Sequence, residues 1–356
     1  MSKIMLFDLP DDDVLYAALI ARDPAYDGFA FVGVKSTGIF CRLTCPARKP
    51  KRENSVFYPS IVSAMEAGFR PCKRCQPLMQ GGEKDPLVLK LLAALENEPG
   101  RKWSEGDVQA MNVDPSTVRR AFKRQFGITF LEMARLRRIG KGIDALAKGE
   151  AVIEAQLDAS FESGSGFRAA LTRQIGSNPS QVRKHQFLKA DWLDTPIGSM
   201  LAIASRDALY LLEFIDRPAL PNEIERLKLL TSSEIIFGRT PLIDQVEQEL
   251  TAYFAGEKHT FATPLAEFGS LFTRKVWDAL RAIPAGELRS YSALAADIGQ
   301  ATASRAVARA NGANQISILI PCHRVIGADG SLTGYGGGLW RKRWLIEHER
   351  RMALSR

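Results

Sequence analysis

Apolar and polar positions along the chain change their spacing between its middle and its last third. In "PSTVRRAFKRQFG" the apolar residues Val118, Phe122 and Phe126 recur at helical spacing, and the cationic residues fall largely elsewhere. From "KADWLDTPIGSMLAIASRDALYLLEF" onward, short β-type runs surround a turn signal at 195–198. Helical patterns follow, including "PLIDQVEQELTAYFAG" and "LFTRKVWDALRAIPAGE". The pattern therefore predicts an all-α middle region, then an α/β region and a helical one.

The middle region contains one helical pattern twice. In "SEGDVQAMNVDPSTVRRAFKRQFG", Ser104 is the expected cap of a first helix. After a break, Asp114 caps a second helix, which has Pro115 at its first position and ends at Gly127. About fifty residues later "SGSGFRAALTRQIG" repeats the pattern, with Ser163 in the place of Asp114, and "EMARLRRIGKGIDALAKG" is a basic amphipathic helix between them. Two helix-turn-helix units with basic second helices fit two neighbouring major-groove segments, whereas the alternative is a helical bundle with a solvated basic face.

This middle region resembles the DNA-binding domain of AraC-type transcription regulators. The resemblance covers Asp85 to Lys184, and "RRAFKRQFGITF" is its most specific part. Ser160 occupies a turn where the family usually has glycine, and Gly164 and Gly166 weaken the start of the second recognition helix. The resemblance implies that basic residues of the recognition helices contact DNA: Arg119, Arg120, Arg124 and Arg168.

Four of the five cysteines lie in two closely spaced pairs near the N-terminus. "GIFCRLTC" carries Cys41 and Cys45, and "GFRPCKRCQP" carries Cys72 and Cys75. Four thiolates at this spacing suit one tetrahedral Zn²⁺. The spacing is compatible with a purely structural zinc and with a zinc-bound thiolate that stays nucleophilic at neutral pH, and it does not decide between them. The basic residues that surround the two pairs are Arg42, Arg48, Lys49, Lys51, Arg52, Arg70, Lys73 and Arg74.

The fifth cysteine ends an apolar run, in "NQISILIPCHRVIG". Cys322 has no second cysteine nearby for a zinc site and no partner for a disulfide. Because adjacent side chains diverge, we expect His323 to activate Cys322 through a water molecule, and "WLIEHER" offers Glu347 or Glu349 to orient the ring. The alternatives are a buried inert cysteine or a thiol enzyme such as a peptidase.

The same run resembles the active-site signature of the O6-alkylguanine-DNA alkyltransferases. The signature is "ILIPCHRV" with Asn314 eight residues before the cysteine, and the resemblance covers Leu188 to Arg356. It implies that Cys322 accepts the alkyl group from a guanine that is flipped out of the duplex. It also implies that His323 and Glu349 form a water-linked relay to that cysteine.

The alkyltransferase resemblance implies further roles on the DNA side of the site. Tyr291 in "RSYSAL" matches the tyrosine beside the flipped nucleotide, and Arg305 in "ASRAVARAN" matches the arginine that fills the vacated stack. Asn314 matches the residue that joins the active site to the DNA-binding helices. Some relatives carry serine after the tyrosine of the "GYGGG" loop, where this chain has Gly336.

Composition and charge narrow the class of protein. With 356 residues, the chain is expected to form two or three domains, and 46% hydrophobic and 25% charged residues are typical of globular proteins. The net charge of +8 favours a polyanionic partner. "MSKIMLFDLPDDDVL" has too short an apolar run for a signal sequence, and no run approaches transmembrane length. We therefore expect a cytoplasmic protein without a membrane partner, whose cysteines serve as thiols or metal ligands.

The three regions in this order resemble the Ada family of the bacterial adaptive response to alkylation. We expect a multidomain α/β protein, with a small zinc-bound α/β domain at 1–80, an all-α double helix-turn-helix domain at 81–187 and an alkyltransferase domain at 188–356, the last divided into an α/β and a helical subdomain. "QPLMQGGEKDP" is the predicted linker between the first two domains.

The Ada resemblance also implies a second acceptor cysteine and a set of partners. Cys41, in "STGIFCR", would take a methyl group from a phosphotriester, with Arg48, Arg70 and Lys73 where phosphate contacts are expected. Its methylation would turn the protein into a transcriptional activator. The implied cofactor is one Zn²⁺, and the implied partners are double-stranded DNA and RNA polymerase. The main rival is a zinc-stabilised regulator that senses electrophiles and repairs no DNA.

Overall fold

The computed structural model describes most of the chain. It describes residues 9–23, 26–28, 30–75, 77, 86–98, 100–176, 178–184 and 186–354. The side chains at 124, 125, 183, 184 and 186 are not described. Their contacts divide the protein into two compact units. The first comprises the described residues of Met1–Glu83, Gly269–Asn314 and Ile320–Arg356, and the second those of Lys84–Phe268 and Gln315–Leu319. The predicted linker lies almost wholly outside the described residues.

The N-terminal part of the first unit is a small sheet with two helices. Its elements are α1 (Asp12–Ala21), β1 (Phe31–Val34), β2 (Ile39–Arg42), β3 (Ser55–Tyr58), α2 (Ile61–Glu66) and β4 (Arg70–Pro71). The strand order is β3-β1-β2-β4, with β1 antiparallel to both neighbours and β4 parallel to β2. Leu15 and Leu19 of α1 pack against Val32 and Leu43, in the same core as the first cysteine pair.

The second unit begins with six helices. They are α3 (Pro86–Asn97), α4 (Glu105–Ala110), α5 (Pro115–Phe126), α6 (Phe130–Lys148), α7 (Val152–Asp158) and α8 (Gly164–Ile175). Ser104 caps α4, and Asp114 caps α5 by accepting a hydrogen bond from the Thr117 amide at 2.8 Å. Gly127 ends α5 in the left-handed conformation, as Gly176 ends α8. The predicted caps and stops of both helix-turn-helix units are confirmed.

The two departures from the AraC pattern have a structural explanation. Ser160 adopts the left-handed backbone conformation that glycine usually supplies, with φ 52°, as Asn112 does in the first turn, with φ 59°. Gly166 donates its amide to the Ser163 hydroxyl at 3.1 Å, and a Cβ on Gly166 would lie only 3.1 Å from that oxygen. The cap therefore offsets the poor helix propensity of Gly164 and Gly166.

The second unit continues into a four-stranded sheet with two helices. Its elements are β5 (Gln186–Leu193), β6 (Met200–Ala204), β7 (Leu209–Phe214), α9 (Leu220–Thr231), β8 (Ser233–Phe237) and α10 (Pro241–Ala255). The strand order is β7-β6-β5-β8, with β8 parallel to β5 after the α9 crossover. The predicted turn joins β5 to β6, where the Gly198 amide donates to the Thr195 carbonyl at 3.1 Å. All five residues of β6 are buried, because both faces of the sheet are covered.

The remainder of the chain is mainly helical and returns to the first unit. Its elements are α11 (Leu271–Ala282), β9 (Arg289–Ser290), α12 (Tyr291–Asp297), α13 (Ser304–Gly312), β10 (Val325–Ile326) and α14 (Leu339–Leu354). The short segment 315–319 belongs to the second unit, where the Ser317 amide donates to the Leu212 carbonyl of β7 at 2.7 Å. Among the described residues, no helix combines the length and apolar character that crossing a membrane requires.

Candidate active site and metal centre

Cys322 lies at the end of the buried apolar run, in a short 3₁₀ turn over Cys322–Arg324. Pro321 precedes Cys322, and Cys322 itself is 6% exposed. The buried Asn314 donates from its amide nitrogen to the Cys322 sulfur at 3.1 Å and to the Ile320 carbonyl at 2.8 Å. A donor aimed at sulfur stabilises the thiolate more than the thiol. Asn314 therefore closes the loop before the cysteine and polarises its sulfur.

His323, Arg324 and Glu349 form a buried set beside the cysteine. His323 Nε2 lies 2.9 Å from Glu349 Oε1. Arg324 donates to both oxygens of the same carboxylate, from Nε at 2.9 Å and from Nη2 at 2.8 Å. All three side chains are nearly inaccessible to solvent. Of the two candidate glutamates, Glu349 orients the histidine, whereas Glu347 instead pairs with Arg343.

The protonation of this set follows from its contacts. Burial favours a neutral Glu349, but His323 and Arg324 outweigh it and hold the pKa of the carboxyl well below its usual range. Burial lowers the pKa of His323, so the ring is neutral at pH 7. A neutral ring beside an ionised carboxylate carries its proton on Nε2, which leaves Nδ1 as an acceptor. Within the described part of the chain, the buried Nδ1 bonds no protein atom.

Lys342 is a further component that the sequence interpretation missed. Its side chain is fully buried, and Nζ donates to the Thr333 carbonyl at 2.6 Å. Burial lowers the pKa of Lys342 to about 8, and the nearby Cys322 opposes this shift. The sequence contained an indication of Lys342, because Lys342 and Glu349 are two turns apart and so share one face of α14.

Tyr291 and Arg305 lie on the two short helices of this part of the chain. Tyr291 begins α12, donates its hydroxyl to the Thr333 carbonyl at 3.4 Å, and has a pKa raised by burial and by Cys322 nearby. Arg305 is the second residue of α13 and is exposed, on the face opposite the buried Val307. The structure thus brings Tyr291 to the cysteine and leaves Arg305 at the surface, as Gly336 also is.

The four N-terminal cysteines converge on one point. Cys41 is in β2, Cys72 directly follows β4, and the parallel pairing of these strands brings the two pairs together. The sulfur atoms of Cys41, Cys45, Cys72 and Cys75 all lie within 4.8 Å of one another. Sulfurs bound tetrahedrally at about 2.3 Å from zinc are about 3.8 Å apart, so the cluster fits one zinc ion.

The pKa values of the clustered thiols also indicate that the site binds a cation. A hydrogen bond to Cys75 and burial raise the pKa of Cys41 far above its usual range, and the same bond lowers the pKa of Cys75 to about 5. The Arg42 amide donates to the Cys75 sulfur at 3.5 Å. Buried thiols in mutual contact cannot all ionise without a compensating charge, so the donor set is suited to a metal ion.

The basic residues around the cysteine cluster divide into two groups. Arg48, Arg70 and Lys73 are exposed, as a phosphate contact requires. Arg52 instead pairs with Asp12 and Asp13 of α1. The sequence interpretation placed phosphate contacts at Arg48, Arg70 and Lys73 and none at Arg52, and this assignment stays a prediction.

The helix-turn-helix units present most of the predicted DNA contacts at the surface. Arg119 and Arg120 of α5 and Arg168 of α8 are exposed. Arg119 forms an ion pair with Glu105, in which both side chains are 54% exposed. Such an exposed pair is weak and can exchange its carboxylate for a phosphate. The side chain of Arg124 lies outside the described residues.

Comparison with known proteins places these sites in a family. Three family models match: the metal binding domain of Ada over residues 14–77, a helix-turn-helix domain over 108–185, and the DNA binding domain of 6-O-methylguanine DNA methyltransferase over 271–351. The bifunctional transcriptional activator/DNA repair enzyme Ada of Escherichia coli is 34% identical over 95% of this chain and 96% of its own. The chain belongs to the Ada family.

A second relative and one solved structure are also similar to this chain. The Ada regulatory protein of Salmonella typhimurium is 33% identical over 98% of each chain. A crystal structure of Mycobacterium tuberculosis OGT in complex with DNA covers 47% of this chain and 94% of its own, at 38% identity and a TM-score of 0.41.

Family membership confirms the broad organisation that the sequence predicts. This Ada-family chain combines a zinc-binding region, an AraC-type helix-turn-helix region and a methylated-DNA–protein-cysteine methyltransferase region. Its cofactor is one zinc ion, and its partner is DNA. This organisation favours repair combined with regulation over a regulator that senses electrophiles without repair.

Proposed function

We propose that the protein reverses DNA alkylation directly, at two separate cysteines. Cys322 takes the methyl group of O6-methylguanine, and Cys41 takes the methyl group of a DNA methylphosphotriester. Each transfer leaves a thioether with no resolving partner, so each cysteine acts once. Methylation of Cys41 then converts the protein into an activator of its own response.

The domain boundaries of this proposal follow the sequence patterns. Residues 1–80 form the phosphotriester domain, 81–187 the double helix-turn-helix domain and 188–356 the alkyltransferase. The alkyltransferase divides into an α/β subdomain, which carries the β7-β6-β5-β8 sheet, and a helical subdomain, which carries Cys322 and α14.

At Cys322 the buried polar side chains accept the proton of the thiol and stabilise the thiolate that remains. Through a water molecule, the thiol proton passes to Nδ1 of His323, whose positive charge the ionised Glu349 then balances. The sulfur, held by Asn314 and facing the Lys342 ammonium, attacks the methyl carbon and forms a carbon–sulfur bond. The methyl–O6 bond breaks, and its electron pair leaves on the purine, which takes up a proton.

DNA must open for this reaction, because a base inside the duplex is out of reach. Arg305, exposed on α13, enters the stack in place of the extruded guanine. Tyr291, beside the cysteine and bonded to Thr333, contacts the nucleotide that leaves the stack.

At the N-terminal site the reacting group is a thiolate that already lacks its proton. Zinc, when bound by Cys41, Cys45, Cys72 and Cys75, keeps the thiolates deprotonated at neutral pH. The Cys41 sulfur attacks the methyl carbon of the triester, and the phosphodiester leaves as an anion. A methylated phosphate is neutral, so it can approach the anionic cluster, and Arg48, Arg70 and Lys73 hold the charged phosphates on either side.

The same transfer provides a physical switch. Conversion of one thiolate to a thioether makes the site about one charge less negative, so its contact with ordinary phosphates strengthens. Promoter contacts of Arg119, Arg120, Arg124 and Arg168 then complete the regulatory complex. RNA polymerase is the partner at the promoter, and the cytoplasm is where the protein works.

The observation that supports base repair most strongly is the geometry at Cys322: a sulfur bonded by Asn314 beside a neutral histidine with a free Nδ1. The test is a time course of methyl transfer from labelled O6-methylguanine duplex in excess over protein. We expect a burst of one methyl group per protein and then no further reaction. Continued turnover would support a thiol enzyme, and no transfer would support a regulator that only senses electrophiles.

The switch has its own test. Promoter affinity is measured before and after reaction with methylphosphotriester DNA, over a series of salt concentrations. One charge corresponds to about a tenfold tighter complex, and the gain should shrink as salt rises. An unchanged affinity, or a methyl group on Cys45, Cys72 or Cys75, would contradict this part of the proposal.

A further inference from the structure

We propose that the β7-β6-β5-β8 sheet is also the docking platform of the first helix-turn-helix unit. On this view α3–α6 and the sheet pack as one compact unit in the full-length protein, and promoter affinity depends on residues of the alkyltransferase half. The predicted boundary between 187 and 188 falls inside the second compact unit, which runs from Lys84 to Phe268. The affinity part rests on the proposed DNA-binding role of α5, whereas the docking part does not.

The helices and the sheet share one hydrophobic core. Its helix-turn-helix members include Leu91, Val118 and Phe122, and its sheet members include Leu201 and Ile203, all almost fully buried in a single cluster. A second cluster joins α6 and α8 to the sheet, since it combines residues of α6 with Ile236 of β8. Separation of the two parts would therefore expose apolar surface on both.

Gly140 shows how closely α6 approaches the sheet. A Cβ on Gly140 would lie 1.8 Å from the carbonyl oxygen of Phe237 and 3.0 Å from its carbonyl carbon. Because the obstacle is backbone, no side-chain rearrangement can relieve it. Glycine is a poor helix former, so this position is explained by close approach of α6 to β8.

The recognition helix α5 makes its own contact with the sheet. Phe126, its last residue, packs edge-to-face on Trp192 of β5, with 6.2 Å between ring centroids. Trp192 in turn stacks on Phe237, with centroids 4.4 Å apart. The sheet therefore supports the helix whose exposed face carries Arg119 and Arg120.

A buried carboxylate fixes the register of this contact. Asp191 of β5 is 1% exposed, and its Oδ1 accepts from Arg137 of α6 at 3.0 Å. Its Oδ2 lies 3.4 Å from Arg239. Arg137 also pairs with Glu96 of α3, and Lys189 of β5 pairs with Asp144 of α6. Without α6, Asp191 would lose Arg137 as a partner, and a buried charge left with fewer partners is costly.

The docking can be tested in the full-length protein with a substitution that adds a single side-chain carbon. Gly140→Ala places a Cβ against the Phe237 backbone, and Gly106→Ala is the matched control, because Gly106 is an exposed helical glycine whose Cβ would meet only Ser104. We expect Gly140→Ala to lower the melting temperature, to increase hydrogen exchange in both α5 and β8, and to weaken promoter binding about tenfold, within the usual range of coupling between sites. Transfer to Cys322 from free O6-alkylguanine should change little. Gly106→Ala should leave hydrogen exchange, promoter binding and transfer unchanged and should keep or slightly raise the melting temperature.

A second measurement does not depend on DNA. A protease recognition sequence is inserted after Gly176, which is exposed, and the full-length protein is cut there. The first compact unit also contains parts of both pieces, so elution is read together with hydrogen exchange: the pieces should elute together, and α6 and β8 should exchange faster when the cut protein also carries Gly140→Ala. Separation of the cut parent protein, or hydrogen exchange in β8 that ignores Gly140→Ala, would overturn the docking. If exchange in β8 rises but promoter affinity is unchanged, the docking stands and the affinity part is wrong.

Discussion

The two thiol sites differ in the source of the positive charge beside the sulfur. At Cys322 the charge comes from the chain itself, since Lys342 is fully buried nearby and Arg324 fixes the carboxylate that orients His323. At Cys41 the neighbours are three further thiols within 4.8 Å, a group that needs a metal ion to ionise. A folded polar network and a metal thus provide alternative ways to activate cysteine at neutral pH.

The difference extends to the elements that carry each site. The Cys322 set joins side chains of a 3₁₀ turn to one face of α14, and His323, Arg324 and Glu349 are all buried. The Cys41 cluster depends on two short-spaced pairs and on one parallel strand contact, β2 with β4. We therefore expect the first site to be sensitive to single side-chain changes and the second to be sensitive to loss of its ion.

The largest expected effect is the separation of the two reactions by Cys322→Ser. The variant should lose all transfer from O6-methylguanine, because a serine hydroxyl is far less ionised and less nucleophilic than a thiol. Zinc content and transfer from methylphosphotriesters should stay at the parent level. Single-lesion labelled duplexes measure both reactions in one preparation, and base repair that survives the substitution would refute the role of Cys322.

A second prediction compares two glutamates of α14. Glu349→Ala leaves Arg324 and His323 without their buried anion, so unfolding should become easier by about 3–5 kcal/mol and transfer to Cys322 should slow about 100-fold. Glu347→Ala is the control, since the Glu347 side chain that pairs with Arg343 is 37% exposed, and its loss should cost about 1 kcal/mol. Denaturant titrations and single-turnover rates distinguish the two; equal effects would contradict the assignment of Glu349.

Much of both sites could be predicted from local sequence. The zinc cluster follows from the C-x3-C and C-x2-C spacing, and the caps at Asp114 and Ser163 follow from residues a few positions away. The choice of Glu349 over Glu347 came only from the alkyltransferase resemblance, and Lys342 could be recognised only from its spacing to Glu349, because both choices depend on which face of α14 meets the 3₁₀ turn. The role of Gly140 could not be predicted either, since it lies in the close approach of α6 to a strand that is distant in sequence.

A third prediction concerns Arg305, which the structure leaves exposed on α13. Arg305→Ala should slow repair of duplex DNA about tenfold or more, because extrusion of a base costs a few kcal/mol. Reaction with free O6-alkylguanine and phosphotriester repair should be unchanged. Arg309→Ala, on the same helix and also exposed, is the control. Equal slowing on duplex and free base would indicate damage to the fold instead.

The smallest effect is a pH dependence from Lys342. Burial lowers the pKa of Lys342 from its usual value of 10.5 to about 8, so above about pH 8 the unfolded chain binds more protons than the folded one. The free energy of unfolding should therefore rise with pH relative to a Lys342→Met variant, by about 1.5 kcal/mol between about pH 8 and about pH 9.5. Urea titrations of both proteins test this. A difference that stays constant would contradict a lowered pKa of Lys342 in the folded protein.

Removal of zinc tests the contrast between the sites most directly. The protein is treated with a chelator, and initial transfer rates are measured on O6-methylguanine duplex and on methylphosphotriester DNA, with zinc then added back. We predict that phosphotriester transfer is lost and returns with zinc, while transfer to Cys322 stays within about twofold, since its activation needs only protein side chains. Parallel loss of both reactions, or phosphotriester transfer that continues without zinc, would contradict the account.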